Sequence, residues 1–502
     1  MKRGVISAGD MQTAKAGEWI LKQGGNAYDA MIACLLAAPI CEPILTSLGG
    51  GGFMLSAKSA QKPKIYDFFV DVPHNRHEIE PEFYPIDVDF GTTIQEFHIG
   101  CGSMAVPGVV KGIWKIYEDL ASLPFETLIQ PAYRYATEGI YLSKTQSDFL
   151  KLLEPIFLST PDSRKLYSKD GKLIDTSYLF TNYEYADFLK EFAKRGEKLF
   201  YEGEIASDIE KMCQKHGGFM DKEELKRYEV KIREPITFGH DDFEIFTNPP
   251  PSSGGILIAF SLMLLEGQEL KDFNTKEHIA NLIESQQVTG EFRHRYINEF
   301  LHANNLGDIL KNDELIKSFK NDLKRRVNLW GNTTHISIID KDGNGASTTT
   351  TNGEACGYVV PHCGIMLNNM LGEEDLNPHG FFKWDSGIRL PSMMSPTAVF
   401  KDKELSLLLG SAGSNRIRSA ILQVILNYFK FGMSIQDAID APRAHFEKGV
   451  VFSEPGLDIK QDIYEYKKFD ELNLFFGGVQ AVTGDFQGGA DPRRGAVVVY
   501  QN

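Results

Sequence analysis

Cysteine is scarce in this chain. Six are spread over 502 residues, at Cys34, Cys41, Cys101, Cys213, Cys356 and Cys363. No CxxC pair occurs, and no Cys/His spacing matches a zinc site. So low a density excludes a disulfide-stapled scaffold and fits a reducing compartment. Cys356 and Cys363 are near enough in sequence to pair, but burial as small apolar groups is the expected state. Long apolar runs are also missing. The longest, "AMIACLLAAPI" from Ala30 to Ile40, is too short to cross a bilayer and reads as a buried helix ended by Pro39. Positive charge is in deficit, with 53 Lys and Arg against 68 Asp and Glu and a net charge of −15. Such a surface repels phosphate backbones and anionic lipid, so neither nucleic acid nor membrane is expected as a partner. "MKRGVISAGDMQ" contains no apolar core of signal-peptide length, and a cytoplasmic location is the expectation. Internal repeats and low-complexity tracts are absent.

What remains is an ordinary globular composition, 42% hydrophobic and 24% charged, with material for a sizeable core. Length alone suggests about three domains, a number that large layered folds absorb. "TAKAGEWILKQGGNAYDAMIACLLAA" reads as two helices broken at Gly24 and Gly25, the second capped by Asn26. The glycine run Gly49–Gly52 is followed by no GK[ST] and completes no GxGxxG, so it signals close backbone packing rather than a phosphate cradle. From about Trp114 to Lys231 the pattern is mostly helical. A proline-serine-glycine turn, "PPPSSGG", leads into an apolar helix. No GxSxG elbow surrounds Ser252 or Ser253, and turn formation is their expected role. The composition shifts at about residue 330, where a charged segment gives way to strands.

The stretch "NLWGNTTHISIIDKDGNGASTTTT", Asn328 to Thr351, carries the chemistry. Ile336 and Ile338 alternate with His335 and Ser337, the period of a half-buried strand. "DKDGN" is turn chemistry and "GASTTTT" a return strand, so a hairpin is predicted with Thr333 at its leading edge. Threonine favours strands in any case. A chain cut before Thr333 would give it another role. The new α-amine would ordinarily titrate at about 7.7–8.0 and lie within reach of its own hydroxyl, so one residue would supply nucleophile and base.

Several motifs in order resemble the γ-glutamyltransferases (γ-glutamyltranspeptidases) of the N-terminal-nucleophile hydrolases. They are "ILKQGGNAYDA", "LGGGGFML", "AVPGVVKGIW", "QPAYRYATEGI", "PPPSSGGI", "NTTHISIIDKDGN", "GIMLNN", "SMMSPT", "LLLGSAGSNRI" and "ADPRRG". The resemblance implies an α+β fold, a four-layer αββα sandwich, made as a precursor that cleaves itself between Asn332 and Thr333. Residues 1–332 and 333–502 would be large and small subunits of one intertwined unit, a heterodimer able to pair again. It implies Thr333 as nucleophile and a second threonine holding its rotamer. Ungapped matching puts that threonine at Thr351, with Thr350 or Thr349 if the register slips. It implies oxyanion donors at the Gly413 and Ser414 N–H groups, where the family usually has two glycines. It implies a small-molecule acyl donor, γ-glutamyl or a related amide, with water or an amine as acceptor, and no cofactor.

Recognition departs from the family pattern. The arginine that clamps the glutamyl α-carboxylate falls on Phe69, so bidentate capture is lost there. The asparagine near the α-amino group falls on Gly353, with Asn352 and Glu354 as neighbours. Of two serines at the carboxylate, one is Ser392 and the other is Met393. The acid that grips the α-ammonium matches Glu373, with Glu374 and Asp375 as alternatives. These acids lack clustered histidine, so no metal site is expected. Arg389 is a candidate for a compensating anion site, while Arg416 is read as structural. His335 shares a face with Thr333 and is also read as structural, because the amine already supplies a base. The expected activity is that of an acyltransferase or amidohydrolase with altered acyl preference, of which cephalosporin-acylase-like proteins are a branch. A catalytically idle binding protein and a serine hydrolase using Ser253 are the alternatives.

Overall fold

The computed structural model describes residues 4–501 except 76–79, 90–93, 269, 271, 299, 304, 305, 313, 314, 316–332, 448, 458 and 460–463. Asn332 therefore lies outside the described residues. Helices and sheets are mixed along the chain. The strands of the two large sheets are, in chain order, β1 (Val5–Ala8), β2 (Gly51–Lys58), β3 (Lys64–Phe68), β4 (Lys231–Arg233), β5 (Ile236–His240), β6 (Phe243–Thr247), β7 (Thr334–Ile339), β8 (Asn344–Thr351), β9 (Thr397–Lys401), β10 (Glu404–Ala412), β11 (Gly478–Thr483), β12 (Gly488–Ala490) and β13 (Val497–Tyr500). One sheet has seven strands ordered β4-β3-β2-β8-β7-β1-β13; the other has six, ordered β5-β6-β9-β10-β11-β12.

The predicted hairpin is β7 and β8, paired antiparallel from Thr334–Thr350 to Ile339–Gly345. Its turn is fixed by Asp340, whose Oδ1 accepts from the Asp342 and Asn344 N–H groups. Both faces of β7 are buried, not one as the alternation suggested. Ile336 and Ile338 are fully buried among the residues of helix α2 (Ala27–Cys41), at roughly 1.5–3 kcal/mol each. The polar face is turned to the second sheet instead of water. There Ser337 Oγ reaches the Gln480 carbonyl of β11 at 3.4 Å, and Ser347 Oγ reaches the Leu409 carbonyl of β10 at 3.3 Å. Period two thus marks the seam between two sheets here.

Helix α2 is apolar all round because it is enclosed by the first sheet on one side and by other helices, among them α1 (Met11–Lys22), on the other. Its start follows the sequence. Asn26 Oδ1 accepts from Tyr28 and Asp29 N–H, and Asp29 reaches back to the Asn26 N–H in a capping box. Pro39 does not end it; the helix runs to Cys41, since the missing N–H removes one bond close to a terminus that Glu42 N–H closes on the Ala38 carbonyl. On the far side of the second sheet, helix α3 (Gly254–Leu265) packs on helices α4 (Lys276–Phe292) and α5 (Arg416–Ile425), and α5 lies on β10 and β11. All six cysteines are buried and unpaired. Among the described residues no helix is long and apolar enough to cross a membrane, and no group of three His, Cys, Asp or Glu is placed to hold a metal.

Candidate active site

Thr333 is the residue before β7 and is 5% exposed. It lines a cleft with about 600 Å³ of empty space, whose wall includes Thr351, Ser414, Ser392, Glu373, Asp375, Phe69 and Met393. The last ladder pair is Thr334–Thr350, so extending the register sets Thr351 opposite Thr333. Thr350 points the other way, to Thr46 Oγ1 and the Gly51 carbonyl, and Thr349 bonds His335. Of the three threonines considered from sequence, only Thr351 shares the cleft. Its Oγ1 accepts from the Gly353 N–H at 3.0 Å, which fixes the hydroxyl.

The Gly413–Ser414 turn joins β10 to α5. Gly413 has φ +115°, and a Cβ there would lie 2.9 Å from Gly477 Cα, so the position is open only to glycine. Ser414 is also left-handed, at φ +50°, an uncommon state for a side-chain-bearing residue. Its hydroxyl donates to Asp375, which ties the strained turn to the opposite wall. Among the described residues neither the Gly413 nor the Ser414 N–H donates a hydrogen bond. Ser414 lines the cleft together with Thr333, and Gly413 precedes it just outside the lining residues.

His335 lies behind the cleft. It is fully buried, with Nδ1 2.7 Å from Thr349 Oγ1 and Nε2 3.0 Å from Ser337 Oγ. Burial pushes its pKa down to about 3, so it stays neutral, and a side chain at Gly410 would collide with its ring. It fills the seam between the sheets. On the opposite face of β7, Thr334 Oγ1 donates to Glu42 Oε2 at 2.6 Å and Thr13 Oγ1 donates to Oε1 at 2.8 Å. Burial and the nearby Asp10 push Glu42 up to about 7.

At the other end of the cleft Phe69 is 1% exposed and stacks on Phe53 at 5.3 Å. Met393, Met394, Leu301 and Ile417 continue the apolar wall. Of the acidic trio, Glu373 and Asp375 line the cleft, whereas Glu374 is exposed and belongs to an adjoining cavity. Burial, with Glu354 and Asp375 nearby, holds Glu373 well above the usual carboxylate range, and its Oε1 is buried without a hydrogen-bond partner among the described residues. Gly353 is left-handed at φ +63°, and a side chain there would collide with Asn369 and Glu373. It contributes an N–H and no side-chain contact, and neither it nor Asn352 nor Glu354 lines the cleft.

Arg389 requires correction. It is not part of the cleft wall. Its guanidinium is closed by Asp67 Oδ1 at 2.5 Å, Asp71 Oδ1 at 2.6 Å and the Asp67 and Glu229 carbonyls, over the Tyr228 ring. Its fork is turned wholly to protein acceptors and not to a substrate carboxylate. Arg416 is buried against Phe475 and Glu447, as a structural residue would be. Ser253 does line the cleft, but its hydroxyl donates to the Ser392 carbonyl at 3.2 Å, and among the described residues no histidine stands beside it in the cleft wall. Sequence reading missed Arg293, Asn298 and Asn415, which complete the wall. Arg293 begins a π-turn, Arg293–Ile297, that extends α4. The charged "EFRHRYINEF" repeats no helical face clearly, and that irregularity is the signal available in the sequence.

The sequence and the fold both have known relatives. A family model described as gamma-glutamyltranspeptidase matches residues 13–500. The glutathione hydrolase proenzyme of Escherichia coli K12 is 28% identical over 478 residues, covering 89% of this chain and 81% of the relative. The capsule biosynthesis protein CapD proenzyme of Bacillus anthracis is 30% identical over 505 residues, covering 97% and 89%. In fold, cephalosporin acylase from Bacillus halodurans superposes with a TM-score of 0.85 at 23% identity, over 99% of this chain and 96% of that one.

Proposed function

Because the chain belongs to the gamma-glutamyltranspeptidase family, we propose that it is a self-processing threonine acyl-transfer enzyme with altered recognition of the acyl group. In this reading the two sheets and the helices outside them are the four-layer αββα sandwich. The chain cuts itself between Asn332 and Thr333, and residues 1–332 and 333–502 stay together as one heterodimer. The observation that carries the reading is the shared cleft of Thr333, Thr351 and Ser414, with Gly413 next to it in the chain.

The chemistry follows from those groups. The freed Thr333 α-amine takes the Oγ proton as Oγ bonds to the substrate carbonyl carbon. The oxyanion is met by the Gly413 and Ser414 N–H groups. The carbon–nitrogen bond breaks, and the leaving amine takes the proton from the α-amine. Water or an amine then attacks the threonine ester and returns the hydroxyl. During maturation the same Oγ bonds to the Asn332 carbonyl carbon. The carbon–nitrogen bond breaks as the acyl group moves from the Thr333 nitrogen to Oγ, and that nitrogen takes up the hydroxyl proton. Water then hydrolyses the ester to leave a carboxylate on Asn332 and a free Thr333 hydroxyl.

The apolar Phe69–Met393 end favours acyl groups other than an unmodified γ-glutamyl head. A site lacking donors for polar substituents loses its demand for them. An acylase of the cephalosporin type is the second reading, favoured by this apolar wall. A reducing, cytoplasmic location is proposed as well, supported by six unpaired buried thiols.

Denaturing electrophoresis and mass spectrometry of purified protein test the core claim. Cleavage before Thr333 is expected, and Thr333→Ala is expected to remain one chain and lose at least ~1000-fold in turnover of acyl p-nitroanilides. An uncut wild-type chain without turnover indicates the idle homologue; a fully active Thr333→Ala indicates another nucleophile such as Ser253. γ-Glutamyl-p-nitroanilide is expected to be a poorer donor than anilides of simpler acyl groups.

A further inference from the structure

A second cavity adjoins the Thr333 cleft. It holds about 930 Å³ of empty space open to solvent. Arg293, Asn298, Asp375, Pro378 and Asn415 line both, so the two share a wall. Arg418, from the first turn of α5, lines the second cavity only and is 6% exposed. Its Nε is buried without a hydrogen-bond partner, and among the described residues no carboxylate stands within ion-pair distance of it. Among the described residues the Arg293 guanidinium gives one hydrogen bond, to Asn415 Oδ1 at 2.7 Å, and its Nε is likewise unpartnered.

Acidic groups line the cavity as well: Glu291, Glu374, Asp375 and Glu447. Glu447 is met by Arg416 at 3.7 Å, His445 at 3.3 Å and Asn415 Nδ2 at 3.0 Å. Asp375 accepts from Ser414 and Asn415. Glu291 faces Arg295 at 3.5 Å, and Glu374 is exposed. Burial first, then the neighbouring Arg293 charge, pushes Arg418 down to about 10, with Glu447 acting in the opposite direction. A buried guanidinium left unsatisfied is costly, and a planar carboxylate matches its fork.

We propose that this cavity is a carboxylate subsite, held by Arg418 and Arg293, for a substrate that carries its anionic group away from the reacting carbonyl. The inference deepens the reading of Thr333 as nucleophile, since that reading sets which end of the substrate reacts. The carboxylate belongs either to the far end of the acyl donor or to the amine partner. It would occupy a place distinct from the one lost at Phe69.

Two measurements test it. Calorimetry on the wild-type enzyme compares glutarate with glutaramide and needs no turnover. Glutarate is expected to bind at least ~10-fold more tightly, as charge-assisted hydrogen bonds require. Kinetics then compare glutaryl- with pentanoyl-p-nitroanilide, and β-alanine with its amide as acceptor for a neutral donor. A ~10-fold preference for the carboxylate in the first pair assigns it to the donor, and in the second to the amine partner. Arg418→Met should abolish the preference and Arg418→Lys should keep part of it, with neutral substrates changed less than about threefold. Equal binding of glutarate and glutaramide, with no preference in either kinetic pair, overturns the subsite, and this comparison holds even if the arginine variants misfold. Glutarate binding without any turnover would instead refute the nucleophile and leave the subsite standing.

Discussion

The two ends of the Thr333 cleft are built on different terms. At the hydroxyl end the groups are small, polar and fixed by neighbours: Thr351 by the Gly353 N–H, Ser414 by Asp375, Gly413 by the approach of Gly477. At the recognition end Phe69, Met393 and Met394 present apolar surface with few directed contacts. What stands behind each end differs as well. Behind Phe69, Asp67 and Asp71 are closed by Arg389; behind the hydroxyl end, burial raises Glu42 to about 7. Bond making demands fixed atoms, whereas an acyl pocket needs only shape, so the first end tolerates change least.

The Arg389 cluster gives the largest effect. Arg389→Met removes the cation that faces Asp71, while Asp67 retains Arg233 at 2.6 Å. Loss of one partner of a buried pair costs about 3–5 kcal/mol. Urea denaturation is expected to show a loss of that order, with KM for acyl anilides unchanged within about twofold in the protein that remains folded. A raised KM with stability intact would return Arg389 to the recognition end and erase the contrast.

Next comes the turn. Gly413→Ala places a Cβ against backbone at Gly477 in a conformation that alanine resists. Displacing one oxyanion donor costs on the order of 10²–10³ in kcat. That loss is expected with KM little changed. Ser414→Gly is its counterpart: it relieves left-handed strain of about 1–3 kcal/mol but removes the bond to Asp375, and kcat should stay within about tenfold. Equal tolerance at both positions would mean that the turn positions nothing.

These pairs also show how far the sequence could be read. The hairpin, its Asp340 turn and the Thr333–Thr351 opposition follow from local alternation and a gap-free count, because register is a local property. The glycine at 413 comes instead from the resemblance of "LLLGSAGSNRI" to the family motif, since the string alone reads as an ordinary tight turn. Arg389 was not. Its partners Asp67 and Asp71 lie more than 300 residues away, and a residue's charge says nothing of who neutralises it. Nor could the string "GEEDL" choose among three acids. The short 3₁₀ turn Glu374–Leu376 turns Glu374 outward and leaves Glu373 and Asp375 at the cleft. Arg293 and Arg418 reach the site from helices whose packing is long-range. The polar face of β7 misled for a related reason: alternation reports two unlike faces, and here the second is a sheet and not solvent.

The smallest effect concerns Glu42, and its sign separates the two ends. Burial first, then Asp10, raises its folded pKa to about 7, above its ordinary value near 4.5. Between those values the native state holds a proton that the unfolded chain releases. The stabilisation is complete below about pH 4.5 and is lost as pH rises through about 7, with a slope of at most about 1.4 kcal/mol per pH unit. Gln resembles the protonated acid, so Glu42→Gln should match the wild type in acid and become relatively more stable toward pH 7. Asp10 is shifted in the same direction by burial, so a shallower slope is expected to persist in the variant. Thermal melts from pH 4.5 to 8 measure this. Parallel curves for the two proteins would show Glu42 already charged in the fold, and the contrast between the two ends would then be lost.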